Sequence, residues 1–408
     1  MSYAPNRPMM LDTDNAVGDA FGRLRVSQPL TLFDSKQILD NQPFYWESVL
    51  ESGAGISDAW VKDEAATTIT STASTAGLFT RRMRQRINYR PGKSQLVLIT
   101  GVLAPTAGAT GVTRRVGQFD ADNGLFFVDV DGTVNVAVRS KVSGSVVETL
   151  VAQSAWNIDP MDGTGPSGVT VDWGNAQIFV VDYEWLAVGR VRFGLVVDGV
   201  TCYVHEFNHA NVISGAYMST PNLPISFQME TTAAAPAAEL VHICASVVSE
   251  GGDLHGGTHH YRSTAGTAVQ ANSVGTVYVV GALRLKATHL DGIVMPVAMS
   301  AVATTVDDFE WVAYFNPTVS GALSWVDVDG SACQYAAGDG AQTVTGFAGG
   351  RLMQGGFDTG GSATSQPIKD TQHIGALVDG TRDVLVLGVR PLGANLDIEG
   401  GMTWRELQ

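Results

Sequence analysis

The residues most suggestive of chemistry are His205-Glu206-Phe207-Asn208-His209. They match H-E-x-x-H, in which two imidazoles one helical turn apart hold zinc and the glutamate serves as general base. That chemistry needs a helix, because only there do positions i and i+4 share a face. Here the motif follows Val196-Val197-Asp198-Gly199-Val200-Thr201-Cys202-Tyr203-Val204, an Asp-Gly turn feeding a β-branched run. This context predicts a strand, on which His205 and Glu206 point to opposite faces. Residues 210–215 supply no third ligand at the spacing zinc sites use. The expectation is a set of polar groups hydrogen-bonded where a strand ends, with no catalytic residue, no metal and no cofactor.

Other clusters leave alternatives open. His255, His259 and His260 sit in a Gly-rich stretch and read either as an adventitious metal trio or as a solvated loop. Asp120, Asp122 and Asn123 precede Gly124, with Asp129 and Asp131 nearby, and read as part of a calcium loop or as turn-forming acids. The cysteines Cys202, Cys244 and Cys333 match no zinc or disulfide spacing and read as small buried apolar residues. No phosphate loop, nucleophile elbow or dinucleotide fingerprint is present.

Charge is unevenly placed. From Ala65 to Phe119 there is no Asp or Glu, and Arg81, Arg82, Arg84, Arg86, Arg90, Lys93, Arg114 and Arg115 give that window +8. The net charge is −15, so the remainder carries −15 − 8 = −23. On a strand through 82–90, Arg82, Arg84, Arg86 and Arg90 share one face, with Met83, Gln85, Ile87 and Tyr89 on the other. That stripe reads as a solvated face, as the partner of an acidic patch on another subunit, or as a nucleic-acid contact. The acidic whole speaks against the last, because phosphate contacts need a basic field.

The elements that must position these groups are mostly strands. Seven Asp-Gly pairs begin at Asp131, Asp162, Asp198, Asp291, Asp329, Asp339 and Asp379, and Asp-Gly suits the tight turns of antiparallel hairpins. Residues 126–138, 194–204 and 375–389 read as hairpins around such pairs. The predicted fold is all-β: two jelly-roll-like β-sandwich domains preceded by an extended arm. Residues 1–42 form the arm, which lacks the apolar content for a core and is expected to lie across its own domain or a neighbour's. Residues 43–250 form the larger sandwich, 251–272 a Gly-rich linker and 273–408 the second sandwich, in which 337–366 reads as a long exposed loop. Val128–Gly132 and Val326–Gly330 repeat one string, a duplication or convergent hairpin chemistry.

Composition narrows the class. The 408 residues are 45% hydrophobic, too apolar for a disordered chain, and only 16% charged, too few for long charged helices. No apolar run approaches the ~20 residues of a membrane helix, and no secretory signal opens the chain. The product is expected to be made in a cytoplasm and to stay soluble.

Four segments resemble a family of virion structural proteins of tailed bacteriophages, especially marine and cyanobacterial ones. They are Asp19-Ala20-Phe21-Gly22-Arg23-Leu24-Arg25-Val26-Ser27 with Thr31–Lys36, then Asn88–Gln95, then Ala176–Arg192, and finally His205–Asn211 with Tyr217–Pro224. The resemblance covers about the first 230 residues. It implies a non-enzymatic component of a virion, on the tail side (baseplate, adaptor or fibre attachment) or, alternatively, a capsid decoration protein. A host-glycan-binding module is a further alternative, with Trp156, Trp173 and Trp185 as exposed aromatics. Partners would be other virion proteins and copies of itself, with no nucleic acid and no membrane. Phe21, Arg23, Leu24, Arg25 and Phe33 of the arm and Arg82, Arg84, Arg86 and Arg90 of the stripe are the expected interface residues.

Overall fold

The computed structural model describes residues 18–105, 108–251, 256–347, 349–368 and 373–407. Among these residues there is no α-helix, and no helix is long and apolar enough to cross a membrane. The chain divides into two units, Met1–Leu254 and His255–Gln408.

The first unit contains β1 (Leu30–Lys36), β2 (Trp46–Gly53), β3 (Ile56–Val61), β4 (Ala66–Ser71), β5 (Gly77–Met83), β6 (Gln95–Val102), β7 (Val112–Phe119) and β8 (Gly124–Val130). It continues with β9 (Thr133–Ser140), β10 (Val147–Ala152), β11 (Gln177–Tyr183), β12 (Val191–Val197), β13 (Val200–Phe207), β14 (Ile225–Thr231) and β15 (Ala238–Ser249). One eight-stranded antiparallel sheet runs β13-β12-β11-β6-β15-β4-β3, with β1 also on β15. A seven-stranded sheet runs β10-β9-β8-β7-β14-β5-β2. Alternate residues of both, among them Val97, Phe179, Phe193, Val116, Phe127 and Phe227, meet in one core. The Asp-Gly turns at Asp131 and Asp198 have positive φ at both residues (52° and 85°; 50° and 77°), as type I′ hairpins require.

The second unit contains β16 (Thr258–Ser263), β17 (Val269–Ala271), β18 (Val277–Leu285), β19 (Ile293–Ala303), β20 (Phe309–Phe315), β21 (Thr318–Ser320) and β22 (Val326–Asp327). After these come β23 (Cys333–Ala337), β24 (Thr343–Gly346), β25 (Arg351–Asp358), β26 (Ala363–Pro367), β27 (Leu385–Pro391) and β28 (Leu396–Leu407). One sheet runs β16-β28-β19-β26 with β17 beside β28, and a larger one runs β21-β24-β18-β27-β20-β25. Its core holds Leu283, Trp311, Leu387 and Trp404.

Several expectations are corrected. Residues 30–36 of the arm form a strand of the first sandwich: β1 pairs with β15 from Leu30↔Ser249 to Lys36↔Cys244. Phe33 enters the core, which stabilises by about 1.5–3 kcal/mol, and Trp46 donates from Nε1 to Ser35 Oγ at 2.8 Å. A bulge between Thr31 and Phe33 breaks the alternation that would have revealed it. The expected linker holds β16 and β17, and the expected loop 337–366 holds β24, β25 and β26. Their Gly, Ser and Thr residues are short-range turn signals overridden by pairing with long central strands. Around Asp379 the described residues form one isolated bridge, Ala376↔Arg382, while β27 pairs with β18 and β20.

Candidate functional site

Parts of the four resembling segments meet at β11 to β13: the Ala20 N–H donates to Ser94 Oγ at 3.2 Å, and Arg190 links the Ala20 carbonyl to Glu206. In register across β11, β12 and β13 stand Asp182, Arg192 and Glu206. Phe179, Val181 and Tyr183 fill the core from the inner face, so period two turns Asp182 outward. It is nevertheless fully buried, because residues 18–25 lie over it. Asp182 Oδ2 accepts from Arg192 Nη2 at 2.5 Å, from the Tyr203 hydroxyl at 2.7 Å and from Arg25 Nη2. Its Oδ1 accepts from Ser94 Oγ at 2.7 Å. Arg25 reaches Glu250 with its other nitrogen, and Arg192 donates to the Gly18 carbonyl at 2.8 Å while its guanidinium lies 4.1 Å from the centre of the Tyr203 ring.

Burial opposes the charge of Arg25, yet Asp182, Tyr203 and Glu250 outweigh it and hold the guanidinium above its ordinary range. Burial, reinforced by Asp182, pushes the Tyr203 phenol up as well. Both shifts act in one direction: Arg25 keeps its charge and Tyr203 keeps its proton, so the phenol remains a donor to Asp182.

Beside it is an open cleft of about 340 Å³ lined by Phe21 and Gly22 of the arm, Glu184 and Arg190 of the β11–β12 loop, and Asn208 and His209. Arg190 donates to the Ala20 carbonyl at 3.1 Å and faces Glu206 at 3.4 Å. Leu186 and Ala187 have φ of 33° and 64°, an uncommon left-handed pair that turns the loop sharply back. Burial raises the Glu184 carboxyl and lowers the His209 imidazole. His209 Nδ1 is 2.7 Å from the Gly189 carbonyl, and its ring stacks on Tyr217 at 4.2 Å.

His205–Phe207 end β13, the strand character their context predicts, and Asn208 and His209 follow the strand. His205 is buried and accepts the Asn157 N–H at 3.1 Å on Nδ1, while Glu206 turns to Arg190 on the other face. Burial lowers the His205 imidazole too. Among the described residues no three His, Cys, Asp or Glu side chains are grouped to hold a metal. Asp120 accepts two backbone N–H groups of its own turn at 2.9 Å each and Arg86 at 2.7 Å, and Asp129 pairs with Arg114 at 2.7 Å. His259 and His260 lie on β16, where His260 stacks on Trp404 at 5.7 Å; His255 lies outside the described residues. Cys333 is buried, whereas Cys202 and Cys244 are only partly so.

The expected interface residues have intrachain partners. Arg23 pairs with Asp19 at 2.7 Å and lies over the Phe21 ring at 4.3 Å; Leu24 bridges back to Gly18 and remains partly exposed. Arg25 and Phe33 are placed as above. Arg82 pairs with Glu47 at 2.8 Å, Arg84 donates to the Pro43 carbonyl at 3.0 Å, and Arg86 holds Asp120. Strand β5 ends at Met83, although burial of odd positions alternates with half-burial of even ones as far as Arg90. Within this unit Glu47 and Asp120 supply carboxylates to Arg82 and Arg86, while Arg84 is held by a carbonyl oxygen. Trp156, Trp173 and Trp185 pack against the core rather than outward, each with its indole N–H on an internal oxygen.

Sequence reasoning passed over Asp182, Arg192, Tyr203, Glu184 and Arg190. The available signal was a charge within an apolar strand run, Asp182 after Ile178–Val181 and Arg192 between Val191 and Phe193.

No family model matches the sequence, and no curated protein does. Among solved structures, the endo-1,3-beta-glucanase from Streptomyces sioyaensis is similar at 11% identity and a TM-score of 0.35, over 60% of this chain and 99% of that one. The CBM2 module of Lactobacillus casei BL23 phage J-1 evolved Dit is similar at 8% identity and a TM-score of 0.37, over 56% and 99%. Peanut lectin is similar at 10% identity and a TM-score of 0.32, over 55% and 98%.

Proposed function

We propose that this chain is a non-catalytic structural subunit of a tailed-bacteriophage particle, on its tail side. The observation that carries the reading is the meeting of parts of the four resembling segments in one arm–sandwich junction. Segment 19–25 lies over Asp182 and Arg192, Tyr89 accepts the Trp185 N–H at 2.9 Å, and His209 reaches the Gly189 carbonyl. In this chain the resembling segments fasten an extended arm to a sandwich. Of the H-E-x-x-H segment, Glu206 faces Arg190, which in turn holds the Ala20 carbonyl of the arm. β-units with few charges suit a subunit held among fixed neighbours.

Mass spectrometry of purified particles, with gold labelling through a tag on the C-terminus, tests this. The expected result is several copies per particle with label at the tail. Absence from purified particles overturns the reading, and label spread over the head overturns its tail-side part.

A further inference from the structure

The second unit carries a groove of about 320 Å³ on the outer face of its β16-β28-β19-β26 sheet. Ser263, Gly401, Ser300 and Ser365 stand in register across these four strands. Period two puts Tyr261 on the same face as Ser263 and Glu399 on the same face as Gly401. All three serines, Tyr261 and Glu399 line the groove.

Tyr261, on the edge strand β16, is 54% exposed. A Cβ at position 401 would lie 2.6 Å from its hydroxyl and 2.7 Å from Cε2. Only glycine there lets the ring lie down across the neighbouring strand. The ring is a platform laid on the sheet rather than a side chain waving above it.

The polar groups around the platform are mostly unspent. Among the described residues none hydrogen-bonds the side-chain hydroxyls of Tyr261, Ser300 or Ser365. Glu399 is held by one contact, the Gly266 N–H at 3.1 Å on Oε2, which leaves its other lone pairs facing outward. No Lys or Arg lines the groove. An anionic ligand would meet the Glu399 carboxylate uncompensated, so phosphates and acidic sugars do not fit. A single carboxylate is too few for a metal. A flat apolar ring beside hydroxyls and one carboxylate matches a pyranose, which has an apolar C–H face and a rim of hydroxyls that both donate and accept.

We propose that this groove binds a neutral oligosaccharide, one pyranose resting on Tyr261 and its hydroxyls meeting Ser300, Ser365 and Glu399. The inference does not depend on the particle reading, since it rests on this groove alone. An open site with a single aromatic platform implies a weak Kd, on the order of millimolar.

Saturation-transfer NMR on the full chain, with maltohexaose, cellohexaose and chitohexaose as probes and trigalacturonate as the charged control, tests it. Transfer to at least one neutral hexaose is expected, with none to trigalacturonate. Tyr261→Phe should retain binding, while Tyr261→Ala and Gly401→Ala should weaken it at least tenfold. Circular dichroism on each variant checks that the fold is kept. The proposal is overturned if no neutral hexaose shows transfer, if Tyr261→Ala binds as well as the parent chain, or if trigalacturonate is preferred.

Discussion

Asp182 opposes two guanidiniums and accepts a phenol and a serine hydroxyl, all with one buried carboxylate. Asp182→Asn keeps the shape but leaves Arg192 and Arg25 without their shared counter-charge. A loss of about 3–5 kcal/mol is expected in denaturant unfolding followed by tryptophan fluorescence. Arg25→Ala should cost less, about 1.5–3 kcal/mol, because Arg25 is partly exposed and Arg192 still opposes Asp182. Glu206→Gln touches partly exposed contacts to Arg190 and Asn208 and should change stability by about 0–1 kcal/mol. Histidines set the pH dependence. His242 is sealed between Trp46 and Phe227, with ring centroids 4.2 Å away in both cases, and its Nδ1 accepts from Arg81 at 3.2 Å. Burial first and then the Arg81 charge hold its imidazole well below the ordinary range, and burial lowers His205 and His209. The unfolded chain then binds more protons, so the stability these groups contribute is full above about pH 6.5 and is lost as pH falls below it. Glu184, raised by burial, works in the opposite sense but is only half-buried. Unfolding free energies between pH 7 and 5 should therefore fall, and a flat profile would show that these imidazoles are hydrated.

At the scale of elements, the arm is two things in sequence. Residues 18–25 cover the charged face of β11 to β13, and β1 then extends the sheet along β15. Long β15 takes β4 along its first half and β1 along its second, which is why an extended segment finds a free edge there. Removing residues 1–28 should uncover Asp182 and Glu250 and lower the melting temperature while leaving the sandwich folded. Removing residues 1–36 also deletes Phe33 and the Ser35 partner of Trp46, and should leave the first unit loosely packed. Comparing both truncations by thermal melting and near-ultraviolet circular dichroism checks the order. Equal melting temperatures would mean that β1 contributes nothing to the sheet.

At the scale of the molecule, each of the four sheets lies within one unit, and each unit has its own core. A fragment of residues 256–407 should fold by itself, because its central strands β18, β27, β20 and β28 bury Leu283, Leu387, Trp311 and Trp404 without help from the first unit. Dispersed amide and methyl resonances in that fragment are the expected result. A collapsed spectrum would mean that the second core needs the first.

Alternation and Asp-Gly chemistry made the all-β class legible, along with the hairpins β8–β9 and β12–β13 and the strand character of His205–Phe207. Those features are local: a period of two and a positive φ are properties of a few adjacent residues. The arginine stripe was legible as a face but not as a set of pairs, since Glu47 and Asp120 lie 35 and 34 residues from Arg82 and Arg86. β16, β17 and β24 to β26 were hidden because their Gly, Ser and Thr residues carry little apolar signal, and only pairing with distant strands orders them. The same holds for the two sites. Asp182 reads as one charge in an apolar run until the arm, 157 residues earlier, brings Arg25 over it. Ser263, Ser300, Ser365 and Gly401 form a row only once four strands are laid in register, because sheet pairing is decided by burial of the whole apolar face and not by any single segment.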